Sequence, residues 1–469
     1  MKLPWSALLF ALIFVLKLLC PERVVAQVYA EIPNDGLQDA SEQLQALINR
    51  GVGSIRLKKG VYKLERTVTI DLTKSGATSI SGEGVATLKM YGKGPALSFR
   101  GSHSGTAAPE SFKPTVLEMQ RMPMVDGIEI IGAHTQANGI EADGTMQLSI
   151  SRTTIRECQH GIHLVRLNRN ILISDCHIYK NSGIGIFYDH VNLHQSNILG
   201  CHISYCTGGG IVSHGGNVRN VHIGTCDIES NMGPQAPPTA NVWLDSTGGS
   251  IGEVAITGCT IQHSSKAPGC ANIRIQGAGQ DPSLQRRAGR TTTREGNITI
   301  GNNVFSDIQT NIHIQDTRGV TITGNTFWEG FELDLLIERS SNVVVGLNNF
   351  DRNPRYLVNG FDNAEKNGIM FRDCDDCILS NNSIAGVWRQ AAAVQFSNCN
   401  RCNIAGNSIL DSDGSGLRLE SVRNSLVTGN IIRDDRDQPK KSDSPSIVTK
   451  GSNENTITAN VLGNGHKDE

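Results

Sequence analysis

One position recurs along most of this chain: Cys176, Cys201, Cys226, Cys259, Asn303, Asn325, Asn349, Asn382, Asn407, Asn430 and Asn460. Neighbouring members are 25, 25, 33, 44, 22, 24, 33, 25, 23 and 30 residues apart. The short values set a unit of 22 to 25 residues, and the long ones are units carrying insertions. Apolar residues fall five and three places before the recurrent position, as in Ile171 and Ile173, Val221 and Ile223, Val254 and Ile256, and Val320 and Ile322. That period of two marks a strand with one face inward. A second strand ends six residues earlier, with inward pairs such as Ile312 and Ile314, Val394 and Phe396, and Leu417 and Leu419. Three short strands per unit, at positions that repeat unit after unit, require a parallel solenoid. A leucine-rich repeat would show its Leu spacing and a helical segment, and a propeller would need longer blades of four strands. Stacking sets like residues above one another, so the Asn side chains can hydrogen-bond along the column.

At 469 residues the length alone would permit two or three domains. A solenoid escapes that rule because it grows by adding repeats. Fifty glycines and an aromatic share of 5% suit narrow, closely stacked coils. With 43 basic against 45 acidic residues, the net charge of -2 provides no basic surface for nucleic acid. Residues 1–26 read as an export signal: Lys2 opens it, Trp5 to Leu19 is apolar except at Ser6 and Lys17, and Val24-Val25-Ala26 offers small residues for cleavage before Gln27. Lys17 breaks the run, which is too short to span a bilayer comfortably. Leu19 is too bulky for a lipidation box ahead of Cys20, so Cys20 is expected to leave with the signal. The chain is therefore expected to be secreted or periplasmic, with no membrane partner once the signal is removed.

Residues 27–60 are expected to form an N-terminal segment with a capping helix, and residues 61–469 the solenoid. Asp39-Ala40-Ser41-Glu42 reads as a capping box opening a helix with Leu44, Leu47 and Ile48 on its apolar face and Gly51 as its stop. Such a helix would cover the open end of a solenoid. Asn34-Asp35-Gly36, Gln43-Leu44-Gln45-Ala46-Leu47-Ile48 and Ile55-Arg56-Leu57-Lys58-Lys59-Gly60-Val61-Tyr62 together resemble the start of the pectate-lyase-like β-helix superfamily, and the later units resemble its generic repeat. The resemblance implies an all-β, right-handed parallel β-helix. It does not specify an activity, because the fold hosts many.

The same resemblance implies that sugar chains lie along the strand before the first turn of each unit. Alternation sends two columns outward from that strand. One reads His163, Trp243, Arg274, His313, Leu336, Met370, Gln395 and Arg418; the other reads His214, Asp245, Gln276, Gln315, Glu338, Arg372, Ser397 and Glu420. Coils ~4.8 Å apart would make Trp243, Arg274 and His313 successive neighbours, with Asp245 and His214 beside them. An aromatic ring can stack on a sugar, Arg can neutralise a uronate carboxylate or act as a base, and His can move protons near neutral pH. Arg274, His313, Asp245 and His214 are thus the catalytic candidates. Trp243, Gln276, Gln315, Glu338 and Arg372 are the substrate-binding ones. Tyr188 and His190, in Tyr188-Asp189-His190, form a further pair that competes with a reading as plain turn chemistry. The largest insertions, 231–240, 277–296 and 351–367, fall around this cluster, and 277–296 carries Arg286, Arg287, Arg290 and Arg294. That local charge suits an acidic glycan; an unstructured solvated loop explains it equally well.

Polygalacturonase-like glycosidases are similar in fold, and His214-Gly215 and Arg274-Ile275 resemble two of their elements. Their Asn-Thr-Asp motif is absent, and Asp375-Asp376 falls several coils away. Asp245 and Glu338 would be three coils, or ~14 Å, apart, beyond the roughly 5 to 9.5 Å of a carboxylate pair. Asp411 and Asp413 beside Gly414 could bind calcium or be simple turn residues. Cys374-x-x-Cys377 and Cys399-x-x-Cys402 have zinc-like spacing, but they lie 25 residues apart, one coil, so interior stacking comes first, an inter-coil disulfide second and zinc third. The expected function is a lyase cleaving an acidic, uronate-containing polysaccharide by β-elimination. The alternatives are a non-catalytic glycan-binding or cell-surface structural protein and, third, a glycoside hydrolase. Metal dependence and oligomeric state cannot be read from the sequence.

Overall fold

The computed structural model describes residues 32–233, 239–263, 267–277, 296–353, 364–437 and 442–469. The expected export signal (1–26) and the arginines of 277–296 lie outside the described residues, and the insertions 231–240 and 351–367 are described only at their ends. Every paired strand runs parallel to its partners, and each joins the strand three further along the chain through most of the body. Strand Ala271–Gln276 pairs with Ile308–Gln315, Gly296–Gly301 with Arg318–Thr323, and Val304–Phe305 with Thr326–Phe327. Three faces therefore wind round one axis, as a right-handed parallel β-helix does. The first face carries the strands whose outward columns were read as the candidate site.

The core is one continuous column of buried residues, from Ile32 and Ala40 to Ile447. Phe305, Phe327 and Phe350 stack inside it at centroid separations of 4.9 and 4.5 Å, and Phe371 lies on Phe396 at 4.3 Å. The expected Asn column is real. Asn303 Nδ2 donates to Asn325 Oδ1 at 3.0 Å, Asn382 Nδ2 to Asn407 Oδ1 at 3.0 Å, and Asn407 Nδ2 to Asn430 Oδ1 at 3.0 Å. Each Nδ2 also reaches a backbone carbonyl of an earlier strand, as Asn407 does to Leu379 O. One member differs from the expectation: Asn348, not Asn349, takes the inward place, accepting from Asn325 and donating to Asn382, while Asn349 is exposed at the start of the third-face strand. The left-handed residue that precedes each inward Asn is Leu347 here (φ 58), a residue that does not advertise such a conformation, so two adjacent Asn left the register ambiguous. A second column, Asn241, Asn272 and Asn311, runs at the start of the first-face strands and ends on the buried carboxyl of Asp334.

The N-terminal helix α1 spans Ser41–Asn49 and buries Leu44, Leu47 and Ile48, and Gly51 (φ 64) follows its end. The capping box does not form. Asp39 Oδ1 accepts from the Ser41 amide and hydroxyl and from the Glu65 amide, so that carboxylate ties the helix to the next coil instead. All eleven described cysteines are buried with free thiols, which is the interior stacking ranked first. Asp411 and Asp413 do not converge: Asp411 accepts from the Asp435 amide, and Asp413 binds the Arg436 guanidinium and the Arg389 amide. Among the described residues no helix is long and apolar enough to cross a membrane.

Candidate functional site

The first-face strands present the expected ribbon in the expected register. Trp243 pairs with Arg274, Arg274 with His313 and His313 with Leu336; beside them Asp245 pairs with Gln276, Gln276 with Gln315, Gln315 with Glu338, and Glu338 with Arg372. His214 pairs with Asp245, one coil before. Towards the N-terminus the column continues through Val212 and Phe187 to His163, two members that the sequence reading passed over. Phe187 stacks on His163 (5.3 Å between centroids, 5° between planes) and meets the edge of His214 at 5.7 Å. His214 in turn meets Trp243 at 4.9 Å, and the Arg274 guanidinium lies 5.8 Å from the Trp243 ring centre. A strip of rings thus runs along the axis and ends on a cation, the geometry of a stacking platform with a charged end.

Three imidazole–carboxylate pairs flank the strip. His163 Nε2 is 3.0 Å from Asp189, His214 Nδ1 is 3.2 Å from Asp245, and His313 Nε2 is 3.0 Å from Glu338. An ionised carboxylate only accepts, so the ring nitrogen facing it carries the proton; in a neutral ring this leaves Nδ1 of His313 and Nε2 of His214 as bare acceptors. Burial, and then the Arg274 charge, lower the His313 pKa. At neutral pH that ring is neutral and able to take a proton. Burial pushes Asp245 up, but hydrogen bonds from His214 and Thr247 outweigh it and hold this carboxyl below the ordinary range. Arg372 caps the pair formed by His313, lying 3.0 Å from Glu338.

Among the described residues, two donors where the rings meet the cation have no partner. Trp243 Nε1 and Arg274 Nε are both enclosed without a hydrogen bond, although Arg274 Nη2 donates to Gly269 O at 2.5 Å. Burial lowers the Arg274 pKa. Unpartnered enclosed donors cost stability, about 1–3 kcal/mol each, a cost that an acceptor on a ligand would relieve.

Tyr188 requires a correction. It points into the core, 2% exposed, with its hydroxyl 2.8 Å from Ser196 Oγ, and burial raises its pKa to about 12. Alternation settles this: Phe187 and Asp189 face out, so the residue between them faces in. His190 is exposed and bound to Asp189 at 2.8 Å, at the edge of the ribbon. Away from the ribbon, on the third face, His202, Asp227 and Glu229 bring one donor atom each within 4.8 Å of one another.

Two family models match the chain. One, described as right handed beta helix region, covers residues 125–261; the other, described as periplasmic copper-binding protein (NosD), covers residues 252–467. Each spans less than half of the chain. Within 252–467 the described residues bring no three His, Cys, Asp or Glu donor atoms within 4.8 Å of one another, and Cys259, Cys270, Cys374, Cys377, Cys399 and Cys402 are all buried. No curated protein matches the chain. Among solved structures, the pre-mature gene product 12 of bacteriophage phi29 is similar with a TM-score of 0.57 at 15% identity, covering 97% of this chain and 58% of that one. The Dettilon tailspike protein follows the same path with a TM-score of 0.52 at 14% identity, covering 86% of this chain and 66% of that one. This chain spans less than two thirds of either. At such identities the likeness is one of fold, and it agrees with the pairing pattern and the repeat: the chain is a right-handed parallel β-helix repeat protein.

Proposed function

We propose that this protein is exported through a signal in residues 1–26 and binds an acidic polysaccharide along the first-face ribbon, cleaving it by β-elimination. The observation that carries the reading is the pair of enclosed, unpartnered donors, Trp243 Nε1 and Arg274 Nε, set between a strip of rings and a neutral His313. A sugar ring stacks on Trp243 and Phe187. Its uronate carboxylate accepts from Arg274, which also stabilises charge as the proton beside that carboxylate leaves. His313 Nδ1 takes that proton, the C4–O4 bond breaks, and a C4=C5 double bond remains on the new non-reducing end. Gln276 and Gln315 offer amide donors on the next column, and the proton taken up by His313 Nδ1 returns from that ring to the leaving O4, since His214, held by Asp245, stands three coils from His313. The family description "periplasmic" supports export.

A hydrolase has less support, because Asp245 and Glu338 each serve a histidine and are separated by the coils of Gln276 and Gln315. Binding without cleavage is the second reading, since stacking and donor satisfaction need no base. The experiment is a panel of polysaccharides, with and without calcium, followed separately for unsaturated products and for new reducing ends. Unsaturated ends from a uronate polymer, abolished in Arg274→Ala and His313→Ala, are the expected result. Reducing ends without unsaturation mean hydrolysis, and retained binding with neither product means a glycan-binding scaffold.

A further inference from the structure

The third face carries a cluster independent of the ribbon. Strand His202–Ser204 pairs with Asp227–Glu229, setting His202 beside Asp227 and Ser204 beside Glu229. Alternation turns His202, Asp227 and Glu229 outward, and all three are partly exposed. His202 Nε2 is 3.6 Å from Asp227 Oδ2 and 3.5 Å from Glu229 Oε1. The other oxygen of Glu229 is 3.5 Å from His263 Nε2, and His263 Nδ1 faces Asp307 Oδ2 at 3.6 Å. A charge-assisted hydrogen bond would draw these atoms to about 2.7–2.9 Å. The observed separations are instead close to the ~3.4 Å edge of a tetrahedron whose ligands lie about 2.0–2.2 Å from a central ion.

Two further observations point the same way. Among the described residues, Asp227 Oδ1 is enclosed and has no hydrogen-bond partner. Asp307 faces the far nitrogen of His263, whose Nε2 faces Glu229, so that ligand carboxylate has an outer-shell partner that is itself held in place. The donors are imidazole and carboxylate, with no thiolate among them. That set suits first-row divalent ions such as Zn2+, whereas Ca2+ takes six to eight oxygens.

We propose that His202, Asp227 and Glu229 bind one first-row divalent metal ion, with His263 holding the second oxygen of Glu229 from outside the set. The ligands His202, Asp227 and Glu229 precede the span matched by the copper-binding family and lie on a different face from the polysaccharide ribbon, so the site does not depend on the reading of either.

The test uses the purified full chain after chelator treatment, titrated with ZnCl2 and CaCl2 in a calorimeter, with Co2+ as a spectroscopic probe. One Zn2+ per chain, no heat from Ca2+, and visible Co2+ bands without thiolate charge transfer are expected. His202→Ala and the near-isosteric Glu229→Gln should each weaken Zn2+ at least tenfold, while the metal-free thermal unfolding of Glu229→Gln stays that of the parent. Lack of stoichiometric Zn2+ uptake overturns the proposal, as does uptake unchanged in both variants. Thiolate charge-transfer bands with Co2+ would overturn it too, by moving the metal to the core cysteines.

Discussion

His160 accepts the Ile184 amide at Nδ1 over 3.1 Å, a bond that only an unprotonated nitrogen can make. Burial, and then the neighbouring His163, pull its pKa down to about 4 against 6.5 for a free ring, with Asp189 opposing. The unfolded chain therefore binds more protons between pH 6.5 and about 4, and stability falls as pH drops through that window. His160→Gln should flatten the fall of the melting midpoint measured from pH 7.5 to 4.5. A parent-like slope would mean that other buried histidines, such as His103 and His313, set it alone. At the ribbon, Trp243→Ala is expected to weaken polysaccharide binding by roughly tenfold, the equivalent of one lost stacking contact. Tyr188→Phe should leave binding alone and lower stability by about 1 kcal/mol, the net value of its bond to Ser196. Calorimetry with the same polysaccharide, beside chemical denaturation, separates the two.

Elements set which of these residues were legible. From Trp243 onward the coils share one strand–turn pattern, so counting back from the recurrent position put Arg274, His313, Gln315 and Glu338 in their true columns. Upstream, strands Ile162–Ser174 and Ile184–Leu199 run through the corner unbroken, and the left-handed residues there, Arg166 and His190, do not advertise a turn. Phe187 was missed there and Tyr188 misplaced. The third-face strands are only two or three residues long, too short for alternation to be seen, which hid the pairing of His202 with Asp227. The Asn column gives a sharp test of register. Asn407→Ala removes the acceptor for both the Asn382 amide and its Nδ2, so it should cost more than about 2 kcal/mol by leaving enclosed donors bare. Asn348→Ala should behave likewise and Asn349→Ala should be near neutral. Equal effects at 348 and 349 in urea unfolding would mean that the turn is set differently.

At the scale of the whole molecule, each coil touches only its neighbours, so stability is a sum of local terms and the ends are the weak points. The N-terminal end is covered by α1, whereas the last strands, Val461–Leu462 and His466–Asp468, leave Ile457 and Leu462 only partly buried. Amide hydrogen exchange should therefore be fastest in the final coil and slowest near the Phe305–Phe327–Phe350 stack; a uniform rate along the axis would mean that the chain opens as a single unit. The two Asn columns add a property that belongs to no single coil. In both, Nδ2 donates to the side chain one coil nearer the C-terminus, from Asn303 through Asn430 and from Asn241 through Asn311. Their amide dipoles therefore add head to tail, as peptide dipoles do in a helix, each bond polarising the next. The shorter column closes at its positive end on Asp334, a fully enclosed carboxyl with a pKa raised to about 7 by burial and eased by Asn311. A polarised row that ends on an acceptor has no donor to pass on, so one buried carboxyl marks where that row stops.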